Sequence, residues 1–172
     1  MNLFEKIREI DNYPVEGVSF KDITTILKEP NAFKEAIDQM INRVKDLDFN
    51  VILAAEARGF VVGAPLAYAL NKSLVPVRKP GKLPASTLRR DYELEYGSDS
   101  LEIHLDAINP GDKVLIVDDL LATGGTSSII KDMVIEMGAE VAGYLFLIEL
   151  EFLNGREKLG DYPVDSILVY KE

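Results

Sequence analysis

Short, uninterrupted runs of apolar residues recur along the chain and are separated by segments with a different spacing. Residues 51–55, 74–77 and 114–117 form runs of this kind, and residues 141–148 and 166–170 form two more. Apolar runs of four to eight residues are typical of strands that are covered on both faces of a sheet. The pattern therefore predicts five buried strands.

Between these runs, apolar residues recur at every third or fourth position, which predicts amphipathic helices. This spacing covers residues 33–44, with Asn31 placed to cap the first turn, and residues 129–137. Residues 60–70 are apolar on nearly every side and predict a buried helix, in which Pro65 should occupy the first turn or cause a kink.

Other segments give weaker patterns. Residues 3–10 fit a short amphipathic helix, whereas residues 15–30 look irregular. Residues 84–104 are polar and long for a connection, and long connections tend to be lids or disordered segments. We therefore expect a flexible hood loop over residues 84–104.

Strands that alternate with helices form a mainly parallel, twisted sheet flanked by helices. A chain of 172 residues fits a single α/β domain over residues 1–172. In open sheets of this class, ligands bind at the carboxyl ends of the strands. Charged segments follow three predicted strands, at residues 56–59, 78–82 and 118–126, so we expect them to meet in one crevice.

Composition excludes several classes of protein. The chain has no cysteine and only one histidine, His104, which excludes thiolate sites and sites that need two histidines. The N-terminus lacks a signal-peptide pattern and no apolar run is long enough to span a membrane, which predicts a soluble cytoplasmic protein without a membrane partner. The net charge of −10 argues against a nucleic-acid partner.

The charge is distributed unevenly along the chain. Seven basic residues and no acidic residue lie between Arg58 and Arg90, whereas the rest of the chain holds twelve basic and 29 acidic residues. The seven are Arg58, Lys72, Arg78, Lys79, Lys82, Arg89 and Arg90. A positive segment in an acidic protein favours a polyanionic ligand, although exposed charged residues also cluster by chance.

The most informative chemistry follows the run at 114–117, in the sequence DDLLATGGT at residues 118–126. Gly124 and Gly125 allow backbone amides to approach a ligand, and the first turn of a following helix attracts phosphate. Thr126 adds a hydroxyl and can cap that helix. The carboxylates of Asp118 and Asp119 can accept hydrogen bonds from a vicinal diol or hold Mg²⁺. Together these groups describe a site for a ribose 5-phosphate.

Other phosphate-site motifs fit less well. The chain has neither a Gly-Lys-Ser/Thr loop nor a G-x-G-x-x-G sequence. The run that ends in Asp118 and Asp119 also resembles the start of a response-regulator receiver domain. Only 53 residues follow Asp119, however, and that interpretation leaves the paired glycines unexplained.

Residues 118–126 resemble the phosphoribosyl-pyrophosphate (PRPP) motif of type I phosphoribosyltransferases. Five further segments resemble the adenine-specific members of that family and occur in the family's order: residues 20–23, 56–60, 78–84, 94–97 and 154–158. The resemblance implies the family's fold and a reaction in which adenine displaces pyrophosphate from PRPP, with the help of Mg²⁺, to give AMP in purine salvage.

The resemblance also implies roles for individual residues. The expected 5-phosphate ligands are Ala122, Thr123, Gly124, Gly125 and Thr126, and the expected ribose ligands are Asp118 and Asp119. The expected pyrophosphate ligands are Arg58, Arg78, Lys79 and Lys82. The expected adenine site comprises Val18, Ser19, Phe20, Lys21 and Leu150, with the backbones of Ser19 and Lys21 recognising the edge of the base.

Catalysis and assembly are implied in the same way. Glu95 and Arg58 are the expected catalytic residues, and Tyr96 is expected to close over the site with the hood. Mg²⁺ is expected to be held mainly by PRPP near Asp118 and Asp119, without a firm protein ligand. The resemblance further implies a cis peptide after Glu56 and a homodimer.

Two alternatives remain open at the level of sequence. One is a phosphoribosyltransferase for another base, such as xanthine, hypoxanthine or orotate, because recognition of a base by backbone groups leaves little trace in the residue types. The other is a non-catalytic regulator that senses PRPP. DNA binding by such a regulator is disfavoured by the acidic chain.

Overall fold

The computed structural model describes residues 1–93 and 97–172 of the chain. Its central element is a parallel sheet of five strands: β3 (Val51–Ala55), β4 (Ser73–Val77), β7 (Lys113–Leu121), β8 (Glu140–Leu150) and β9 (Val164–Tyr170). Their order across the sheet is β4-β3-β7-β8-β9. The five predicted strands are confirmed, and β7 and β8 extend several residues beyond their apolar runs.

Helices cover both faces of this sheet, because alternate residues of a strand point to opposite sides. α2 (Pro30–Val44) and α3 (Arg58–Leu70) pack on the face that carries Ile52 and Leu115. α4 (Gly125–Glu136) packs on the face that carries Leu53 and Ile116. The predicted α/β architecture is therefore confirmed.

The chain changes direction across the sheet between β3 and β7. From β3 the chain moves outward to β4, whereas β7, β8 and β9 lie on the other side of β3. The pairing of β3 with β7 ends at Ala54 and Val117, but β7 continues beside β8 as far as Leu121. Residues 118–121 therefore have an open edge on the β3 side, and a switch point of this kind forms a crevice.

A hairpin lies over the α4 side of the sheet and replaces the loop that was expected over residues 84–104. It consists of β5 (Thr87–Glu93) and β6 (Ser98–His104), which pair antiparallel. The expectation of a loop is wrong for these strands, because Leu101 and Ile103 alternate with polar residues and are buried in the core. Glu102 exchanges two backbone hydrogen bonds with Arg78, at 3.0 and 2.7 Å, which joins the hairpin to the sheet.

The N-terminal segment also differs from its prediction. β1 (Arg8–Asp11) and β2 (Ser19–Asp22) form a two-stranded antiparallel sheet, followed by α1 (Thr24–Leu27). The helix predicted over residues 3–10 is wrong, since only a 3-10 turn at Phe4–Lys6 is helical. The irregular structure predicted over residues 15–30 is wrong for β2 and α1.

Two smaller predictions about helices are corrected. α2 begins at Pro30 with Glu29 in the capping position, so Asn31 is not the cap; proline suits the first position because it has no amide hydrogen to leave unpaired. Pro65 lies inside α3 and not in its first turn, which contradicts the first of the two expectations for this residue and leaves the kink as a prediction. Within residues 1–93 and 97–172, none of the helices has the length and apolar character of a membrane-spanning segment.

Close packing of α3 on β3 makes a testable prediction at Gly63. A Cβ atom on Gly63 would lie 2.9 Å from the Cβ atom of Ala54. Overpacking of this kind costs about 1–3 kcal/mol, and the better helix propensity of alanine recovers about 1 kcal/mol. We expect Gly63→Ala to lower the free energy of unfolding, measured by urea denaturation.

A second variant tests the cause of that loss. Ala54→Gly removes the atom that the new methyl group would meet, so the losses of the double variant should be smaller than the sum of the two single losses. If the losses of unfolding free energy in the two single variants simply add up in the double variant, the new methyl group at position 63 does not clash with Ala54.

Candidate active site

A cleft of about 250 Å³ opens at the switch point between β3 and β7. Its walls are the end of β3 and the start of α3, part of the hairpin, and the chain that leads from β7 into α4. The lining residues are Ala55, Glu56, Ala57, Arg58, Lys79, Tyr92, Leu101 and residues 118–127. The predicted convergence of three strand ends is confirmed.

The cleft contains many of the site residues that were predicted from the sequence. Those that line it are Arg58, Lys79, Asp118, Asp119 and residues 122–126. Arg78 and Lys82 contact it indirectly, through Glu56. The five residues predicted to bind adenine do not line this cleft. Glu95 and Tyr96 lie outside the described residues.

The two adjacent acids are held in the sheet at the base of the cleft. Asp118 accepts a hydrogen bond from the amide of Asp119 at 2.8 Å. Burial, followed by the negative charge of Asp119, raises the pKa of Asp118 well above its usual value. Burial also raises the pKa of Asp119, although Arg58 opposes this effect. The fold thus keeps a costly pair of carboxyl groups together, which is typical of functional sites.

Arg58 links the acids to the N-terminal segment. Its Nε atom lies 2.9 Å from Oδ2 of Asp119, and its guanidinium lies 5.3 Å from the ring centre of Phe20. A guanidinium above an aromatic face is attracted by the ring electrons. Arg58 thus contacts both Phe20, predicted to bind adenine, and Asp119, predicted to bind ribose.

The start of α3 is shaped to fit against Asp118. A Cβ atom on Gly59 would lie 2.8 Å from Oδ1 of Asp118, so any other residue at position 59 would displace that carboxylate. The preceding peptide, between Glu56 and Ala57, is cis, which confirms the feature implied by the family resemblance.

The loop at residues 122–125 ends at the N-terminus of α4. Gly124 has a φ of 81° and occupies the capping position, and in the described part of the chain no side chain caps this helix. The prediction that Thr126 caps it is wrong, because Thr126 is already the second helical residue. The first-turn amides therefore keep their hydrogen-bonding capacity for a ligand.

The two glycines of this loop serve different purposes. A Cβ atom on Gly124 would lie 2.3 Å from the carbonyl oxygen of Gly155, so Gly124 is required by chain packing. Among residues 1–93 and 97–172, the nearest atom to a Cβ atom on Gly125 would be Thr123 Oγ1, at 4.0 Å. Space beside Gly125 is thus open to a ligand, as expected for a phosphate-binding loop.

The basic segment between Arg58 and Arg90 is neutralised by acids from outside it. Glu56 receives a hydrogen bond from Lys82 Nζ at 2.7 Å and lies 3.6 Å from Arg78 Nε. Lys79 forms an ion pair with Asp99 on β6. Burial would raise the pKa of Glu56, but hydrogen bonds from Lys82 and from the Lys79 amide hold the pKa below its usual value.

The remaining arginines of that segment are engaged elsewhere. Arg89 bonds to Asp91 and Ser100, and Arg90 forms an ion pair with Glu136 of α4. Both side chains hold the hairpin rather than line the cleft. Arg58 and Lys79 are the basic residues of the segment that line the cleft, and each is paired with an acid there, Asp119 and Asp99 respectively.

Sequence reasoning missed one aromatic residue of the cleft wall. Tyr92 lines the cleft, and its hydroxyl lies 3.2 Å from Oδ2 of Asp99, the partner of Lys79. The signal was the alternating pattern of residues 87–93, which places Tyr92 on the same face as Leu88, but the prediction of a loop concealed it. His104 accepts a hydrogen bond from the amide of Ala85 at 3.3 Å, which is a structural role.

Comparison with known proteins gives the family. A family model for the phosphoribosyl transferase domain matches residues 22–168. An adenine phosphoribosyltransferase of Caldicellulosiruptor saccharolyticus is 56% identical over 171 residues, which are 99% of this chain and 98% of the relative. The chain belongs to the adenine phosphoribosyltransferase family. The family predicted from residues 118–126 and their companion segments is confirmed.

Solved adenine phosphoribosyltransferases share the fold as well. The enzyme of Thermoanaerobacter pseudethanolicus has a TM-score of 0.95 and 51% identity, and the match covers 98% of each chain. The enzyme of Saccharomyces cerevisiae has a TM-score of 0.90 and 39% identity over 96% of each chain. That yeast structure contains D-2,5-dideoxy-2,5-imino-altritol 1,6-bisphosphate and adenine.

The buried acid pair predicts an unusual stability effect. Because the pKa of Asp118 is raised by folding, its charge destabilises the fold as the pH rises above the ordinary value of 3.8. We expect Asp118→Asn to stabilise the ligand-free protein near neutral pH by about 1 kcal/mol, or about 2–4 °C in melting temperature for a domain of this size. The gain should vanish below that ordinary pKa.

Circular dichroism measures the melting temperature of each protein in buffer with EDTA, once near neutral pH and once below pH 3.8. Asp106→Asn is the matched control, because Asp106 is an exposed acid and its replacement should leave the melting temperature unchanged. An Asp118→Asn protein that melts at the same temperature as the wild type near neutral pH would contradict the strain assigned to the acid pair.

Proposed function

We propose that this chain transfers the 5-phosphoribosyl group from PRPP to adenine in the cytoplasm, giving AMP and pyrophosphate for purine salvage. The observation that carries this proposal is the meeting of three features in one cleft: the uncapped start of α4, the acid pair at the end of β7, and Arg58 beside Phe20. Family membership supports the same reaction.

The phosphate and ribose of PRPP fit the chain from β7 to α4. Residues 122–126 offer backbone amides and hydroxyl groups to the 5-phosphate, and the positive end of the α4 dipole favours its charge. Asp118 and Asp119 accept hydrogen bonds from the ribose hydroxyls, since charged carboxylates act only as acceptors. The bound hydroxyls would replace part of the hydration that burial has removed from these acids.

The pyrophosphate group is assigned to the opposite wall. Arg58 and Lys79 line that wall, and Arg78 and Lys82 lie around Glu56 behind it. Stabilising the charge that develops on the leaving pyrophosphate is the main contribution expected of the protein in this type of transfer. To bind pyrophosphate, Lys79 must break its ion pair with Asp99 and contact a phosphate oxygen instead.

Adenine is assigned to the segment that adjoins Arg58. Val18 is 41% exposed, while Phe20 and Leu150 are half-buried, so apolar surface is available to the faces of a base. Within the described residues β2 has one strand neighbour, β1, which leaves one edge of its backbone free to bind the edge of adenine. The Lys21 side chain is bonded to Glu9 at 2.7 Å, so its backbone is the part that remains for recognition.

The chemical step requires the bond from the anomeric carbon to pyrophosphate to break as N9 of adenine attacks that carbon. The transition state carries oxocarbenium character, as in other glycosyl transfers. In keeping with the family resemblance, we propose that Glu95 accepts the proton that leaves N9 of adenine. We also propose that Tyr96 belongs to the hood that closes over the site. Arg58 would balance negative charge at both Asp119 and pyrophosphate.

Mg²⁺ is proposed to enter with PRPP. The described residues contain no group of three or more histidine, cysteine or acidic side chains placed to hold a metal. Asp118 and Asp119 would supply two ligands of an octahedral shell if each bound through one oxygen, and Mg²⁺ commonly takes the remainder from substrate phosphates and water. When bound, the ion would neutralise charge on the pyrophosphate.

A homodimer is proposed as the assembled form. Val61 and Tyr68, at helical spacing on the outer side of α3, are 37% and 91% exposed, and Leu74 of the neighbouring edge strand is 39% exposed. Large apolar side chains exposed close together are typical of a protein interface. This surface begins next to Ala57 and Arg58, so a second copy would pack beside the cleft.

The proposed reaction is tested by supplying purified protein with PRPP, Mg²⁺ and one base at a time: adenine, hypoxanthine, guanine, xanthine or orotate. We expect AMP and pyrophosphate from adenine only, and no product when EDTA removes Mg²⁺. Formation of product from another base would leave the assignment of the PRPP site intact, but it would overturn the assignment of Phe20 and Leu150 to adenine. PRPP binding without product from any base would favour the sensing regulator.

Arg58→Ala should lower kcat by roughly 10²–10³-fold, since charge stabilisation at the leaving group is lost. Arg43→Ala is the matched control, because Arg43 lies on α2 and contacts only Asp165, at 3.6 Å, among its ion-pair partners in the described chain. Equal rates for the Arg58→Ala and Arg43→Ala proteins would contradict the role of Arg58.

The proposed interface is tested by sedimentation velocity. The wild type should sediment as twice the subunit mass of 19.1 kDa, and Tyr68→Glu should shift it toward the monomer by placing a charge in an apolar contact. Ile135→Glu on α4 is the control, since Ile135 is also exposed, at 49%, but lies outside that surface. A dimer unaffected by Tyr68→Glu would place the interface elsewhere.

A further inference from the structure

The most buried acid among the described residues lies outside the cleft and has no part in the reaction outlined above. Glu149 is 2% exposed and stands near the end of β8. Its two carboxylate oxygens accept hydrogen bonds from Nε and Nη2 of Arg156, at 2.6 and 2.7 Å. This bidentate geometry fixes the guanidinium in distance and in orientation.

Arg156 also binds the neighbouring strand. Its Nη1 atom donates a hydrogen bond to the carbonyl oxygen of Val164 at 3.0 Å, at the start of β9. One side chain thus ties the short helical turn Gly155–Lys158 to two adjacent strands of the central sheet. Removing either partner would leave the other group buried or half-buried without its counter-charge.

The turn held by Arg156 is in direct contact with the loop at residues 122–125. A Cβ atom on Gly155 would lie 2.3 Å from the carbonyl oxygen of Ala122, and one on Gly124 would lie 2.3 Å from the carbonyl oxygen of Gly155. The two backbones therefore touch with no space for a methyl group between them. A shift of Gly155 must shift the loop, because no space separates the two backbones at this contact.

We propose that the Glu149–Arg156 pair positions the loop at residues 122–125 through Gly155, and so sets the affinity for the 5-phosphate of the substrate without touching it. The inference rests on the proposed function, in which this loop binds the 5-phosphate. Arg156 is a positioning residue: the sheet holds Glu149, Glu149 holds Arg156, and the backbone of Gly155 holds the loop.

The same turn has a second tie that provides a control. The hydroxyl of Tyr144 donates a hydrogen bond to the carbonyl oxygen of Leu159 at 3.0 Å, just beyond the end of the turn. Tyr144 is 1% exposed, so Tyr144→Phe also removes a buried hydrogen bond. It does so at the far end of the turn, away from Gly155.

The test compares Arg156→Lys, Glu149→Gln and Tyr144→Phe with the wild type. Arg156→Lys keeps the positive charge but loses the bidentate geometry. Glu149→Gln keeps the shape of the side chain but loses its charge, and it provides the test if Arg156→Lys folds poorly. Calorimetry gives the Kd of ribose 5-phosphate and of pyrophosphate, and steady-state kinetics give the KM of PRPP and of adenine.

We expect Arg156→Lys and Glu149→Gln each to weaken ribose 5-phosphate binding and to raise the KM of PRPP by about tenfold, since a displacement of about 1 Å has effects of this size or larger. The Kd of pyrophosphate and the KM of adenine should stay within about twofold. The KM of adenine is the most sensitive control, because Leu150, which is proposed to contact adenine, directly follows Glu149 in the chain. Tyr144→Phe should lower the melting temperature but leave all four constants unchanged.

Three outcomes would overturn the inference: unchanged ribose 5-phosphate affinity in both variants, equal changes for adenine and PRPP, or the same changes in Tyr144→Phe. Failure of the proposed function is a separate result. A wild-type protein that forms no AMP but binds ribose 5-phosphate still tests the Glu149–Arg156 pair by calorimetry, whereas a wild type that binds no ribose 5-phosphate overturns both proposals.

Discussion

The end of the pairing between β3 and β7 is the constraint on which the site depends. Beyond Val117, β7 continues with β8 alone, and β3 gives way to α3. Asp119 is thereby buried and Asp118 half-buried in the sheet that carries them, and their open side faces the start of α3. Arg58 is the first residue of that helix, so one strand ending supplies the carboxylates, the space around them and the cation that offsets their charge.

Close backbone contacts determine the rest of the geometry. Gly59 lets α3 reach the Asp118 carboxylate, and Gly124 and Gly155 let two turns of chain touch. Each contact transmits position because a methyl group would not fit between the surfaces, and packed interiors deform little. The site is therefore assembled from main-chain surfaces on a rigid sheet, and its few charged side chains are oriented by that frame.

The predictable part of this structure was the part with local signals. Apolar runs that end in charged segments located the strands and the crevice, and the acid pair followed by two glycines identified the loop at residues 122–125. The N-terminal helix prediction failed because β1 is stabilised by β2, a partner that no local pattern reveals. The packing contact of Gly124 was also missed, because it joins Gly124 to Gly155, which is far away in the sequence.

The ion pairs around the cleft were beyond sequence reasoning for a related reason. A charge count along residues 58–90 shows seven cations without an acid, but the fold brings Asp99 and Asp119 from later segments to two of them. Spatial neighbours decide the electrostatic potential of a cleft. Of the four basic residues named by the family resemblance, Arg58 and Lys79 line the cleft, and the resemblance did not indicate the acids paired with them.

Those accompanying carboxylates give the cleft a form of selectivity against common ions. Chloride or bicarbonate that approaches Lys79 must displace Asp99, which the fold holds in place at high effective concentration. Exchange of one negative charge for another brings such an ion little net gain. A polyanion engages several cations together and so outcompetes the tethered acids, which recover their partners when it departs. In the proposed reaction, the resident carboxylates would therefore favour a polyanion over small anions and would re-form their ion pairs as pyrophosphate leaves.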